Sequence, residues 1–179
     1  VQLYKQEHQG KYPPSNPKNA DWIQWRADKI TDYMKSLFTT IKSIKQDVII
    51  SVSPNPQAFS LENYLLDWEK WERIGLIEEL VMQIYRDNMD SFQRELSQSE
   101  VQAAKNHIPV AIGILSGLKG RPVSLDLINK QVSYTRQQNF AGVSFFFYES
   151  LWNFGFESVE TRKANYKNIF FSEVKRPQV

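Results

Sequence analysis

Val48-Ile49-Ile50-Ser51-Val52-Ser53, followed at once by Pro54-Asn55-Pro56, is the stretch whose reading decides the fold. It is a short apolar run with β-branched residues, stopped hard by two prolines that a sheet interior does not admit. The same kind of run returns as Glu79-Leu80-Val81-Met82-Gln83-Ile84-Tyr85, Val110-Ala111-Ile112-Gly113-Ile114-Leu115 and Gly142-Val143-Ser144-Phe145-Phe146-Phe147-Tyr148. The four begin at residues 48, 79, 110 and 142, at intervals of 31, 31 and 32. A helix-like pattern fills each gap. Strand and helix alternating at a fixed period are the signature of successive βα units in a parallel sheet. Active sites in such folds gather at the C-terminal ends of the strands.

The chain has 179 residues, enough for one domain with its own core. A complete (β/α)₈ barrel needs about 250. The expected class is therefore α/β of the (β/α)₈ TIM-barrel type, with this chain supplying about half of the barrel as four parallel βα units. The chain opens at Val1 without an initiator Met or a signal peptide, which reads as an excised piece. Lys and Arg total 22 against 20 Asp and Glu, a net charge of +2, so nothing argues for nucleic acid as a partner. No apolar run approaches the roughly 20 residues of a membrane span. The absence of cysteine excludes disulfides, thiolate metal sites and a Cys nucleophile. The two histidines, His8 and His107, are too far apart in sequence to suggest a metal cage. No metal and no cofactor is expected. Aromatic residues make up 13% of the chain, a supply of flat apolar faces that fits a core or a sugar site.

Residues 1–19 read as a loop, because Gly10, Pro13, Pro14, Ser15, Asn16 and Pro17 crowd together. A helix is predicted from about Asp21 to Lys45, capped by Asn19 or Asp21. Others are predicted over about Leu61–Gly75, from Asp87-Asn88 to about Asn106, from a cap near Ser124 to about Gln138, and over about Val159–Phe170. The tail past Lys175 reads as frayed. Trp22, Trp25, Trp68 and Trp71 lie at helical spacing and read as core.

Strand alternation assigns the faces. Val48, Ile50, Val52, Leu80, Met82, Ile84, Val110, Ile112, Ile114, Val143, Phe145 and Phe147 should meet the helices. The inward set is smaller and more polar towards the strand ends. Ser53, Asn55, Gln83, Tyr85 and Tyr148 converge there on one mouth. Hydroxyls, amides and aromatic faces in one place suit a polyhydroxylated ligand, although inward polar groups in a barrel also satisfy one another.

Ordered along the chain, Trp25-Arg26-Ala27-Asp28-Lys29-Ile30, Ile50-Ser51-Val52-Ser53-Pro54-Asn55, Glu79 to Arg86, Gly113-Ile114-Leu115-Ser116-Gly117 and Phe146-Phe147-Tyr148-Glu149-Ser150-Leu151-Trp152 form a fairly specific series. With Tyr4 to Gly10 ahead of them, they resemble the glycosyl hydrolase-like 10 family. The resemblance implies a (β/α)₈ barrel of which this chain is the C-terminal half, strands five to eight. It divides the chain into an active-site-side loop at 1–19, a glycosidase-like half-barrel at 20–175 and a tail at 176–179. It also implies carbohydrate as the partner, an exported or cell-envelope location, and an acidic strand-four motif upstream of these residues.

Glycoside hydrolysis uses two carboxyl groups. Glu149, just past the fourth strand and flanked by Tyr148 and Trp152, is the candidate catalytic acid or nucleophile; the competing reading is an ion pair with Arg86 or Arg26. Asp87, past the second strand, is the weaker acid, since Asp-Asn before a helix is a common cap. Tyr85, Tyr148 and Trp152 are candidate stacking surfaces, and Arg26 and Arg86 candidate contacts to substrate or to a carboxylate. With Ser53, Asn55, Gln83 and Asp87 they complete the candidate binding set. Glu7 and His8 lie in the loop over the mouth and read as solvated, while His107 precedes a strand and reads as structural. Two alternatives stand beside hydrolysis. Ser116-Gly117-Leu118-Lys119-Gly120-Arg121 leads to a helix start and fits a phosphorylated substrate. A non-catalytic carbohydrate-binding or scaffold protein would use the same mouth. The first and last strands should keep open edges, which makes a homodimer through those edges the expected assembly.

Overall fold

A computed structural model describes residues 1–172. The four runs form one sheet of β1 (Ser51–Val52), β2 (Glu79–Gln83), β3 (Val110–Leu115) and β4 (Gly142–Phe146). The order is β1-β2-β3-β4 and every neighbouring pair is parallel. Met82 lies opposite Ile112, and Ile112 opposite Val143. Successive neighbours in chain order, each joined through helix, give the connectivity of half of a (β/α)₈ barrel.

Three strands are shorter than predicted: β2 stops at Gln83 rather than Tyr85, and β1 and β4 are cut back for local reasons. Ahead of β1 the backbone is held by side chains: the Ile50 N–H donates to Glu78 Oε2 (2.8 Å), and Lys42 Nζ donates both to the Val48 carbonyl (2.7 Å) and to Glu78 Oε1 (2.6 Å). β4 ends at Phe146 because the Phe147 N–H donates to Ser150 Oγ (2.8 Å), opening a 3₁₀ turn over Tyr148–Leu151.

The helices are α1 (Gln2–Glu7), α2 (Ala20–Ile44), α3 (Gln57–Tyr64), α4 (Trp68–Arg73), α5 (Met89–Leu96), α6 (Ser99–Lys105), α7 (Leu125–Gln137) and α8 (Val159–Ile169). The expectation of a loop through residues 1–19 is corrected at its start. The prolines begin only at Pro13, and upstream of them α1 forms and closes with the Gly10 N–H on the Lys5 carbonyl (2.7 Å). Asn19 caps α2 by accepting from the Trp22 N–H, and Ser124 caps α7 by accepting from the Leu127 N–H. Two predicted helices are each two. α3 stops at Leu65 (φ 60°), whose N–H reaches Leu61 O while the Leu66 N–H reaches Ser60 O. Asp67 then caps α4. α5 and α6 are separated at Ser97-Gln98.

The face assignment holds on the central strands. Leu80, Met82, Ile84, Val110, Ile112 and Ile114 are all buried, packed with Trp68, Trp71, Phe92, Ile128 and Val132 from the helices. Each such side chain contributes about 1.5–3 kcal/mol of transfer free energy. On the opposite face Ser51, Ser53, Ser144 and Phe146 are exposed. Leu115, though it lies on that opposite face by strand alternation, is buried in the core. Val143, Phe145 and Phe147 are only partly buried, as an edge strand leaves them. Trp68 and Trp71 are core, whereas Trp22 and Trp25 are partly exposed. The expected frayed tail lies outside the described residues.

Candidate functional site

The strand ends bring together Ser53 and Asn55 after β1, Gln83, Tyr85, Arg86 and Asp87 at and after β2, and Tyr148, Glu149 and Trp152 after β4. Ser53 Oγ donates to the Val81 carbonyl (2.9 Å), and Gln83 Nε2 donates back to the Ser53 carbonyl (2.7 Å). The two side chains thus lace β1 to β2 and spend donors doing so. A hydroxyl and an amide oxygen keep acceptor capacity for a ligand's O–H groups. The Asn55 carbonyl accepts from Ser60 Oγ (2.8 Å) and Trp68 Nε1 (3.0 Å), which fixes the turn that presents its side chain.

Between these groups lies an aromatic floor. Tyr85 stacks on Phe146 across the intervening strand, with centroids 5.1 Å apart and planes 28° off parallel. Beside it, Gly113 of β3 lets the β2 and β3 backbones approach closely: a Cβ there would stand 2.9 Å from the Met82 carbonyl, and at an ordinary contact distance of 3.5 Å from Tyr85 Cε1. Burial raises the Tyr85 phenol above its ordinary pKa, so it is neutral near pH 7. Tyr148 is 77% exposed and meets Trp152 edge to face at 6.1 Å. Trp152 is seated in turn against Tyr166 of α8, at 5.8 Å and 87°.

The charged candidates separate. Glu149 is exposed, and neither predicted arginine holds it. Arg86 pairs with Glu95 (2.8 Å), and Arg26 donates to the carbonyls of Pro17 (2.7 Å) and Trp22 (3.1 Å). Among the described residues, no ion pair involves Glu149. The cap of α5 is Asn88, whose Oδ1 accepts from the Ser91 N–H (2.8 Å), and Asp87 instead pairs with Arg121. Arg26 belongs to a separate cluster. Its guanidinium lies over Trp22, Trp22 stacks on Trp25 (5.1 Å), and Tyr4 meets both edge-on. Glu7 is tied into that cluster, accepting from Lys29 (2.6 Å) and from Trp25 Nε1 (2.9 Å), and these bonds lower its pKa. His8 stacks on Tyr4 at 3.7 Å. His107 bonds to Glu72 (2.8 Å) at the opposite end of the sheet, a structural placement.

The Gly-rich loop after β3 is knit to itself. Leu118 and Arg121 exchange backbone bonds at 3.0 and 2.9 Å. At the start of α7 the Leu125 N–H is taken by Glu157 Oε1 (2.8 Å) and the Leu127 N–H by Ser124 Oγ. Glu157 thus already fills the position an anion takes at a helix N-terminus. Its burial opposes ionisation, but the bonds it receives from Leu125, its own N–H and Arg162 outweigh that and hold its pKa below the usual value. Among the described residues, no cluster of three His, Asp or Glu side chains is placed to hold a metal ion, and no helix is long and apolar enough to cross a membrane.

Sequence reasoning missed the polar network below the mouth. Ser116, Ser150 and Arg162 are buried together, with Ser116 Oγ and Ser150 Oγ 2.6 Å apart. A signal was present: Arg162 falls between Val159 and Tyr166 on the inward stripe of α8, where a solvated arginine has no place.

A four-stranded parallel sheet of βα units, with hydroxyl, amide, aromatic and carboxylate groups at its strand ends, places the chain among proteins of (β/α)₈-barrel type. The family model "Glycosyl hydrolase-like 10" matches residues 1–136, and the chain belongs to that family. The matched span stops within α7, so Tyr148, Glu149 and Trp152 rest on geometry alone. No curated protein matches the chain.

Proposed function

We propose that the strand-end surface is one wall of a carbohydrate-binding and hydrolysing site, with Glu149 as the general acid or the nucleophile. The observation that carries the reading is the Tyr85–Phe146 floor, flanked by Gln83 and Ser53 on one side and by the exposed Glu149 on the other. Aromatic faces cover the C–H faces of a sugar ring, and the flanking oxygens accept from its hydroxyls. As acid, Glu149 protonates the glycosidic oxygen as the bond to the anomeric carbon breaks; as nucleophile, it forms the glycosyl ester that water cleaves. On this reading the partner carboxylate belongs to the acidic motif that the family resemblance places upstream, and Asp87, the other acid at these strand ends, pairs with Arg121. Occupation of the α7 N-terminus by Glu157 argues against a phosphorylated substrate there.

The test is Glu149→Gln in a polypeptide carrying the complete barrel. Turnover should fall by a factor of at least about 100 with KM little changed. Unchanged turnover sinks the assignment. The 179 residues alone should hydrolyse no glycoside, and robust activity from them would require both carboxylates to lie within this chain.

A further inference from the structure

Beneath the mouth, Arg162 of α8 is 0% exposed. All five of its N–H groups have acceptors. Nε donates to the Leu151 carbonyl (2.6 Å), Nη1 to the Val123 carbonyl (3.2 Å) and Glu157 Oε2 (2.9 Å), and Nη2 to the carbonyls of Ser116 (3.0 Å) and Ser150 (3.4 Å). These acceptors come from four segments: the end of β3, the approach to α7, the turn after β4 and the approach to α8. Gly155 makes room, since a Cβ there would overlap the guanidinium. Ser150 adds a second tie, its Oγ bonding both Ser116 Oγ and the Phe147 N–H.

The energetics separate this arrangement from ordinary packing. A buried cation is costly unless fully hydrogen-bonded and paired, and an apolar side chain at the same place on α8 would pack without that cost. A guanidinium contributes instead a rigid fork that fixes several carbonyls relative to one another, which a lysine ammonium does not. Two of the gripped carbonyls, Ser150 and Leu151, lie directly between Glu149 and Trp152 in the chain.

We infer that Arg162 is the positioning residue of the candidate site. It holds the turn bearing Tyr148, Glu149 and Trp152 against the end of β3, and so sets how the carboxylate and the indole face a bound sugar. The inference rests on the carbohydrate reading for the ligand, and on geometry for the positioning.

Amide hydrogen exchange of the 179-residue chain, wild type against Arg162→Met and Arg162→Lys, tests it. The Ser150, Trp152 and Asn153 amides bond to carbonyls within the turn and report its order. In Arg162→Met they should exchange faster by a factor of about 30, with β2 and β3 amides changed by less than about threefold. Arg162→Lys should fall between. In a polypeptide carrying the complete barrel, affinity for a panel of cellohexaose, maltohexaose and chitohexaose should drop at least about tenfold in Arg162→Met. Equal acceleration in turn and strands, or none in the turn, overturns the inference in favour of a purely structural arginine. If Arg162→Met does not fold, Arg162→Lys and Ser150→Ala are read by the same turn-to-strand comparison. A wild-type polypeptide carrying the complete barrel that binds none of the three oligosaccharides sinks the carbohydrate reading, whereas turn-selective exchange still assigns Arg162 the positioning of the turn.

Discussion

Single atoms decide two features of the candidate site. At Gly113 the missing Cβ lets β2 and β3 approach closely, and the obstacle to any larger residue is backbone, the Met82 carbonyl at 2.9 Å. A backbone carbonyl within the β2–β3 ladder cannot swing aside as a side-chain tip can. Gly113→Ala should therefore cost about 1–3 kcal/mol of stability in denaturant unfolding and lower affinity for an oligosaccharide by shifting β2, which carries Tyr85 just past its end. A stability change below about 0.5 kcal/mol would show that the strands separate freely there. The second feature is Glu157, which ties the α7 N-terminus to Arg162. Its folded-state pKa lies below the ordinary Glu value, so the unfolded chain binds more protons at acid pH. The stabilisation is present above the unfolded pKa of about 4.3 and is lost as pH falls through the folded value. Glu78, lowered by Lys42 and the Ile50 N–H against its burial, has the same sign. Thermal midpoints should hold from neutral pH down to about pH 5 and fall below it, and Glu157→Gln should flatten that fall. A Glu157→Gln midpoint that follows the wild-type profile in parallel would remove Glu157 from the linkage.

The elements show what can be read from the sequence and what cannot. The strands were legible because an alternating run bounded by Pro or Gly carries its own register, and the buried set Leu80, Met82, Ile84, Ile112 and Ile114 follows from it. Of the candidate site, the residues at the strand ends were legible for the same reason. The division into α3 and α4 was hidden because Leu65, not glycine, takes the left-handed position that ends α3. The polar network was hidden because its acceptors are backbone carbonyls from distant segments, which no side-chain pattern announces. α1 was masked by the prolines downstream of it. Six residues do not sustain a helix alone, so α1 depends on its clasp: Tyr4 and His8 on Trp22 and Trp25, and Glu7 on Lys29. Trp25→Ala removes three ring contacts, to Tyr4, His8 and Trp22, and the Nε1 bond to Glu7. Limited proteolysis within residues 1–12 should then accelerate by about tenfold or more, with the thermal midpoint of the core moved by only a few degrees. A proteolysis rate equal to wild type would show that α1 is held by something other than the clasp.

At the scale of the molecule, a parallel sheet of four strands is half of a closed ring. Among the described residues, β1 and β4 each have one neighbour, and β4 is five residues long, so its edge can pair further. The helices beside both edges carry apolar surface. On α2, Tyr33, Leu37 and Ile44 are exposed; beside β4, a groove of about 590 Å³ is lined by Phe140, Val143, Ile169, Phe170 and Phe171. The proposed cover for the isolated chain is a second copy. Two four-stranded halves about a twofold axis bring each β4 edge beside the other copy's β1 edge and make eight strands, the number at which side chains alone fill a barrel interior. Such closure would shield Phe146, now 43% exposed. Light scattering should give twice the 21.0 kDa of the chain, falling to monomer on dilution. Leu37→Lys combined with Ile44→Lys should shift the equilibrium to monomer without altering the amide exchange of β2 and β3, since both side chains point away from the core. A wild-type chain that stays monomeric at high concentration overturns the closure, and a double variant that dimerises as well as wild type removes α2 from the interface.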